Sequence, residues 1–179
     1  GAQPGEKLSS DKPFTVTQIA DFEAPWAMTF LPDRRMLVTE KAGQLLLVSA
    51  DGKSRQVVAT LPVDSAGQGA LKDVVLAPGF ATNREIYLSG SVAGTGGKGA
   101  VLWRAKLVET GGAARLDGLK EIFRATPFVE GNGHYSARIA IAPDGKHLFF
   151  TNGERQKFQP AQDPKATLGK VLRLNLDGS

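Results

Sequence analysis

The loop Gly131-Asn132-Gly133-His134-Tyr135-Ser136-Ala137-Arg138-Ile139, answered by Thr151-Asn152-Gly153-Glu154, offers an imidazole and a carboxylate at the ends of two strand-like runs. His134 precedes Ile139-Ala140-Ile141, and Glu154 follows Leu148-Phe149-Phe150-Thr151. If these runs pair as a hairpin, both groups emerge at the same end of one sheet. A carboxylate on one ring nitrogen fixes the tautomer, which leaves the other nitrogen to act as a general base. Residue types alone also accommodate a surface-loop histidine and a turn glutamate, because loops collect polar residues.

The elements that must position this pair recur along the chain. Phe30-Leu31-Pro32-Asp33-Arg34-Arg35-Met36-Leu37-Val38-Thr39-Glu40 has a counterpart in Ile141-Ala142-Pro143-Asp144-Gly145-Lys146-His147-Leu148-Phe149-Phe150-Thr151. A third copy runs from Leu76-Ala77-Pro78-Gly79-Phe80 into Glu85-Ile86-Tyr87-Leu88-Ser89. Each reads as strand, Pro-initiated turn, strand, and each is followed by a further apolar strand, at Gln44–Val48, Val101–Leu107 and Lys170–Leu176. Asp-Gly pairs at 51, 117, 144 and 177 are expected to turn antiparallel hairpins, and no segment carries a long helical period. Three units of roughly 45–65 residues predict an all-β, antiparallel propeller with about three blades in this chain. The blades are expected over residues 16–179, behind a flexible segment at 1–15. A propeller closes with about four to eight blades, so a longer ring is expected.

With 41% hydrophobic and 22% charged residues, the chain is ordinary for a soluble globular protein. Its net charge of +4 comes from basic residues placed singly or as the pair Arg34-Arg35, which leaves no nucleic-acid footprint. Apolar runs such as Leu45-Leu46-Leu47-Val48 are too short for a membrane span. The absence of cysteine excludes disulfides, thiolate chemistry and sulfur-ligated metals, and is compatible with an oxidising compartment. The opening Gly1-Ala2-Gln3-Pro4-Gly5-Glu6-Lys7 reads as a processed end or an added remnant rather than a signal peptide.

Gly94-Thr95-Gly96-Gly97-Lys98-Gly99 has the G-x-G-x-x-G spacing of dinucleotide sites, where a following helix N-terminus holds pyrophosphate. Here Ala100-Val101-Leu102-Trp103 continues as a strand, so a flexible hairpin loop is expected. His147 reads as an exposed turn residue. Trp26 and Trp103 read as packing between blades.

Pro25-Trp26-Ala27-Met28-Thr29-Phe30-Leu31-Pro32-Asp33, then Gly67-Gln68-Gly69-Ala70-Leu71-Lys72-Asp73-Val74-Val75-Leu76-Ala77-Pro78-Gly79-Phe80, the His134 loop, and Leu168-Gly169-Lys170-Val171-Leu172-Arg173-Leu174-Asn175-Leu176-Asp177-Gly178 are similar, in this order, to successive signatures of one family. It is the soluble glucose/sorbosone dehydrogenase family, especially its bacterial aldose sugar dehydrogenase branch. The resemblance covers essentially the whole chain, which stops where the family's sequence is about half finished. It implies a six-bladed propeller that uses pyrroloquinoline quinone and calcium and oxidises aldose sugars at the anomeric carbon to lactones. It further implies a separate electron acceptor, a periplasmic or secreted location, and the remainder of the propeller as partner.

Carried over by position, His134 matches the family's catalytic base, Glu154 the acidic residue paired with it, and Gln68 a substrate-binding glutamine at the funnel mouth. Imidazole suits the role because its ordinary pKa of ~6.5 leaves much of it neutral. The chain departs from the family at Gly133, where some members carry an acidic or amide side chain, with Asn132 one residue further back, and at Lys72, where an apolar or small residue is usual. Arg155-Gln156-Lys157-Phe158-Gln159 receives no role, and Arg138 is expected to brace the loop through backbone carbonyls. The family's cofactor-gripping and calcium-holding residues match nothing in this chain, so cofactor-binding residues are unassigned here and no metal ligand is named. Two further readings stay open: a propeller that serves only as a binding module, and a lactonase-type calcium propeller, which would need carboxylates converging on the channel.

Overall fold

The computed structural model describes residues 13–179, so the segment expected at 1–15 lies largely outside the described residues. Three antiparallel sheets follow one another. The first runs in chain order through β1 (Pro25–Phe30), β2 (Met36–Glu40), β3 (Gln44–Val48) and β4 (Arg55–Thr60). The second holds β5 (Leu71–Leu76), β6 (Glu85–Gly94), β7 (Gly97–Thr110) and β8 (Ala113–Arg124). The third has three strands among the described residues, β9 (Ser136–Ile141), β10 (His147–Asn152) and β11 (Lys170–Asn175).

Strand periodicity explains how the sheets stack, because successive side chains point to opposite faces. On β6, Ile86 and Leu88 enter a core with Leu37, Leu45 and Leu47 of the first sheet. Tyr87, between them, enters a second core with Ile139, Leu148 and Phe150 of the third. The middle sheet is thus buried on both faces. Phe123 and Phe150 meet edge to face at 5.9 Å across the second core, and the Tyr87 hydroxyl donates to the Leu176 carbonyl at 2.7 Å. The first strands lie side by side, β1 against β5 and β5 against β9. These are consecutive propeller blades with their innermost strands gathered about a common axis.

Of the four Asp-Gly pairs, those at 51 and 144 join paired strands, that at 177 follows the last described strand, and that at 117 departs from expectation. Asp117-Gly118 lies inside β8, and the hairpin turns instead at Gly111-Gly112, between the paired residues Thr110 and Ala113. Both glycines hold positive φ, 59° and 83°, as a two-residue I′-type turn requires, and they outcompete Asp-Gly. Asp117-Gly118 forms a bulge, where the register slips between Arg104 and Lys106 opposite. The Gly94–Gly99 run is a tight hairpin, with Gly94 paired to Gly97. A Cβ on Gly97 would stand 2.3 Å from the Val129 carbonyl and one on Gly99 2.1 Å from the Phe128 ring, so these glycines admit a neighbouring chain segment. Among the described residues, no helix is long and apolar enough to cross a membrane.

Candidate active site

β9 and β10 pair antiparallel, with Asn152 opposite Ser136, so the residues just before β9 and just after β10 emerge together. Buried Asp73 fixes the end of β9 against β5, its carboxylate accepting the Ile139 N–H at 2.9 Å and a bond from Arg138 at 3.3 Å. Ser89 reinforces this by donating to the Ala137 carbonyl at 2.5 Å.

On this frame the loops bring His134, Glu154 and Gln68 together. His134 Nδ1 contacts Glu154 Oε1, and the His134 backbone N–H donates to Gln68 Oε1 at 2.8 Å. Because the carboxylate can only accept, Nδ1 carries a proton, and in the neutral imidazole Nε2 presents its lone pair. The His134 side chain is 45% exposed, open to an incoming molecule. The Phe158 N–H, donated to Glu154 Oε2 at 3.0 Å, and then the histidine hold the Glu154 carboxyl down at about 2, so it stays ionised. The two groups line a concavity of about 610 Å³ with Gln68, Ser136 and Thr151.

The backbone around the pair is strained. Of nine non-glycine residues with positive φ among the described residues, six are His134, Ser136, Ala137, Arg155, Gln156 and Phe158. Each such residue costs of order 1–3 kcal/mol and persists only where its surroundings enforce it. The enforcement comes from Arg155, buried at 2% exposure. Its guanidinium donates to the carbonyls of Gly133 at 2.7 Å, Gly131 at 2.6 Å and Lys98, and stacks 3.7 Å from the centre of the Tyr135 ring. Burial lowers its pKa from the ordinary guanidinium value. The carbonyl-bracing role expected of Arg138 therefore belongs to Arg155, a residue with no sequence signal beyond a polar run.

Glycines permit the close packing. A Cβ on Gly153 would fall 1.8 Å from the His134 carbonyl, and one on Gly133 would fall 2.7 Å from Gln156 Oε1. The Gln156 amide thus occupies the place that a side chain at 133 would claim. His147 pairs with Asp144 at 2.8 Å in its own turn, away from this cluster.

A second concavity, about 460 Å³, adjoins the first through their shared residues Gln68 and Ser136. Trp26 and Lys72 line it, and the Trp26 ring meets Lys72 of the second sheet and Arg138 of the third, whereas Trp103 is buried in the first core. Lys72 is 4% exposed, with Nζ 4.7 Å from the Trp26 ring centre, and Arg138 lies 4.4 Å from the same ring. Burial, and then the charges of Lys41 and Arg138, lower Lys72 to about 8. Among the described residues no group of three or more His, Asp or Glu comes together that could hold a metal ion.

An oriented imidazole with a free Nε2, beside an amide, can take a proton from a polyhydroxylated substrate. Residues 22–179 match the protein family described as Glucose / Sorbosone dehydrogenase. The chain is 37% identical over 158 residues to the aldose sugar dehydrogenase YliI of Escherichia coli, covering 86% of this chain and 42% of that protein. Its fold superposes on a crystal structure of a glucose dehydrogenase with a TM-score of 0.85 and 34% identity, covering 92% of this chain and 48% of the other. It also superposes on the PQQ-bound form of an aldose sugar dehydrogenase from Streptomyces coelicolor, with a TM-score of 0.76 and 26% identity over 91% of this chain and 48% of that one. The chain spans less than half the length of the relatives it matches.

Proposed function

Since the chain belongs to the glucose/sorbosone dehydrogenase family, we propose that it carries the base side of an active site that oxidises aldose sugars at the anomeric carbon to lactones with pyrroloquinoline quinone. The observation that carries this reading is the His134 Nδ1–Glu154 contact on an exposed imidazole whose backbone is held by Gln68.

Glu154, ionised, accepts a hydrogen bond from Nδ1–H and leaves Nε2 for the substrate. His134 Nε2 takes the proton of the sugar's anomeric hydroxyl, and Glu154 stabilises the imidazolium that results. The amide nitrogen of Gln68, whose oxygen is engaged with His134, is available to donate to a sugar hydroxyl. Pyrroloquinoline quinone, when bound, would supply the acceptor for the hydride of the anomeric carbon, and a separate electron acceptor belongs to the same proposal. The residues present fit one flank of such a planar, carboxylate-bearing group, because the Trp26 ring is flanked by Lys72 and Arg138 while Asp73, the nearby acid, is already engaged. The described residues supply no cluster for the calcium ion that the family resemblance implies. A periplasmic or secreted location belongs to the same proposal.

A propeller that only binds has no need of a carboxylate on the far nitrogen of an exposed imidazole. The test is dye-linked aldose oxidation by the full-length protein reconstituted with pyrroloquinoline quinone. Turnover that disappears in His134→Ala supports the proposal, and turnover that persists in that variant refutes it.

A further inference from the structure

Lys72 is 4% exposed, and its ammonium, at the wall of a concavity, has no counter-ion. Its backbone is fixed on β5, where the Thr39 hydroxyl donates to the Lys72 carbonyl at 2.5 Å. Its Nζ meets ring faces, Trp26 at 4.7 Å and Tyr135 at 5.8 Å, and among the described residues it has neither a hydrogen bond nor an ion pair. A buried charge of this kind is costly unless something pairs with it. The surrounding acids cannot serve: Asp73 binds the Ile139 and Val74 N–H groups and Arg138. Glu40 accepts the Glu23 N–H. Lys41, the other cation lining the concavity, spends its ammonium on the carbonyls of Ser65, Gly67 and Gly69 at 2.8, 2.6 and 2.5 Å. Its charge remains, but its donors are taken. Arg138 gives Nη1 to Asp73 and lines a separate concavity with Trp26, Phe22 and Met28.

We propose that the concavity between Trp26, Lys72 and Gln68 is a carboxylate-binding subsite, in which Lys72 Nζ is the principal donor and the Gln68 amide nitrogen a second. The unsatisfied donors there are Lys72 Nζ and the Gln68 amide nitrogen, a pair that complements the two oxygens of one carboxylate group. The subsite adjoins the His134 concavity through Gln68 and Ser136, so a carboxylate seated in it belongs to a molecule that reaches the proposed base. Two sources share that chemistry: a carboxyl group of the quinone cofactor, and the carboxyl group of an acidic aldose. The assignment of the neighbouring concavity rests on the proposed function. Carboxylate binding by Lys72 does not.

The test is calorimetric binding to the cofactor-free full-length protein, with three separate probes: pyrroloquinoline quinone, D-glucuronate and D-glucose. Wild type is compared with Lys72→Leu, with Lys72→Met as a second apolar variant in case the first fails to fold, and with Lys72→Arg to restore the charge. The expected result is a loss of about tenfold or more in affinity for at least one carboxylate-bearing probe in the apolar variants, the cost of one charge-assisted hydrogen bond. D-Glucose binding should not change, and Lys72→Arg should recover part of the loss. A loss confined to the quinone identifies the cofactor as the source, and a loss confined to glucuronate identifies an acidic sugar. Folded apolar variants that bind both carboxylates as tightly as wild type, equal weakening of all three probes, or a wild type that binds neither carboxylate would each overturn the subsite. Lys72-dependent glucuronate binding in a protein that takes up no quinone would retain the subsite and remove the dehydrogenase reading.

Discussion

Gln68 Oε1 accepts the backbone N–H of His134 at 2.8 Å, and the Gln68 backbone N–H donates in turn to the Asn132 carbonyl at 2.7 Å. The side chain expected to meet the sugar is therefore also a clasp between the loop before β5 and the loop that carries the imidazole. Gln68→Ala should raise KM through the lost amide donor and also lower kcat, because the loop loses a hydrogen bond worth about 1 kcal/mol. Steady-state kinetics of the full-length enzyme separate the two. A rise in KM at constant kcat would mean that the clasp has no bearing on the base.

For the base itself, His134→Ala should lower kcat by about 10²–10⁴-fold with quinone affinity largely intact. Glu154→Gln should cost less, because it disturbs the tautomer and not the acceptor. Glu154 also predicts a pH effect with a definite sign. Its carboxyl sits at about 2 in the fold, below the ordinary value of 4.5. Its stabilisation is therefore present above about pH 4.5 and is lost as pH falls towards 2. Thermal melts across that window should show a shallower acid decline for Glu154→Gln than for wild type, and parallel curves would count against the interaction.

The propeller was legible because alternation and the three Pro-initiated turns are local signals, and the His134–Glu154 meeting followed from one hairpin register. What stayed hidden depends on tertiary burial. Arg155 sits in a polar run that gives no sign of 2% exposure. Trp26 reads like any blade-packing aromatic until Lys72 and Arg138 are seen against its ring. Asp117-Gly118 carries a sound turn signal that lost to Gly111-Gly112 because β7 and β8 pair beyond it.

Arg155 predicts a stability effect tied to catalysis. Arg155→Met leaves the carbonyls of Gly131, Gly133 and Lys98 without their shared donor, which should cost about 2–4 kcal/mol. Arg155→Lys keeps the charge but cannot reproduce the fork, so it should rescue only part. Both variants should lower kcat more than they raise KM, since the strained backbone at His134 would relax. If Arg155→Met melts like wild type, the clamp is not what enforces that strain.

Lys72 makes the opposite prediction, a substitution that stabilises. Its pKa is lowered to about 8, first by burial and then by Lys41 and Arg138, against about 10.4 in an unfolded chain. Below pH 8 both states hold the proton, and the fold carries the full penalty of burying the charge. Between about 8 and 10.4 the folded state releases the proton while the unfolded state keeps it, so this residue makes folding more favourable as pH rises. In the cofactor-free full-length protein, Lys72→Met should therefore melt above wild type at pH 7, since replacing an unpaired buried cation by an apolar group of similar length removes the penalty. The advantage should shrink steadily from pH 8 to pH 10. Added pyrroloquinoline quinone or D-glucuronate should reverse the order at pH 7 if either seats a carboxylate on the ammonium, because only wild type then gains from binding. A variant less stable than wild type at every pH and indifferent to both additions would show that the Lys72 stem, and not its charge, is what the fold uses.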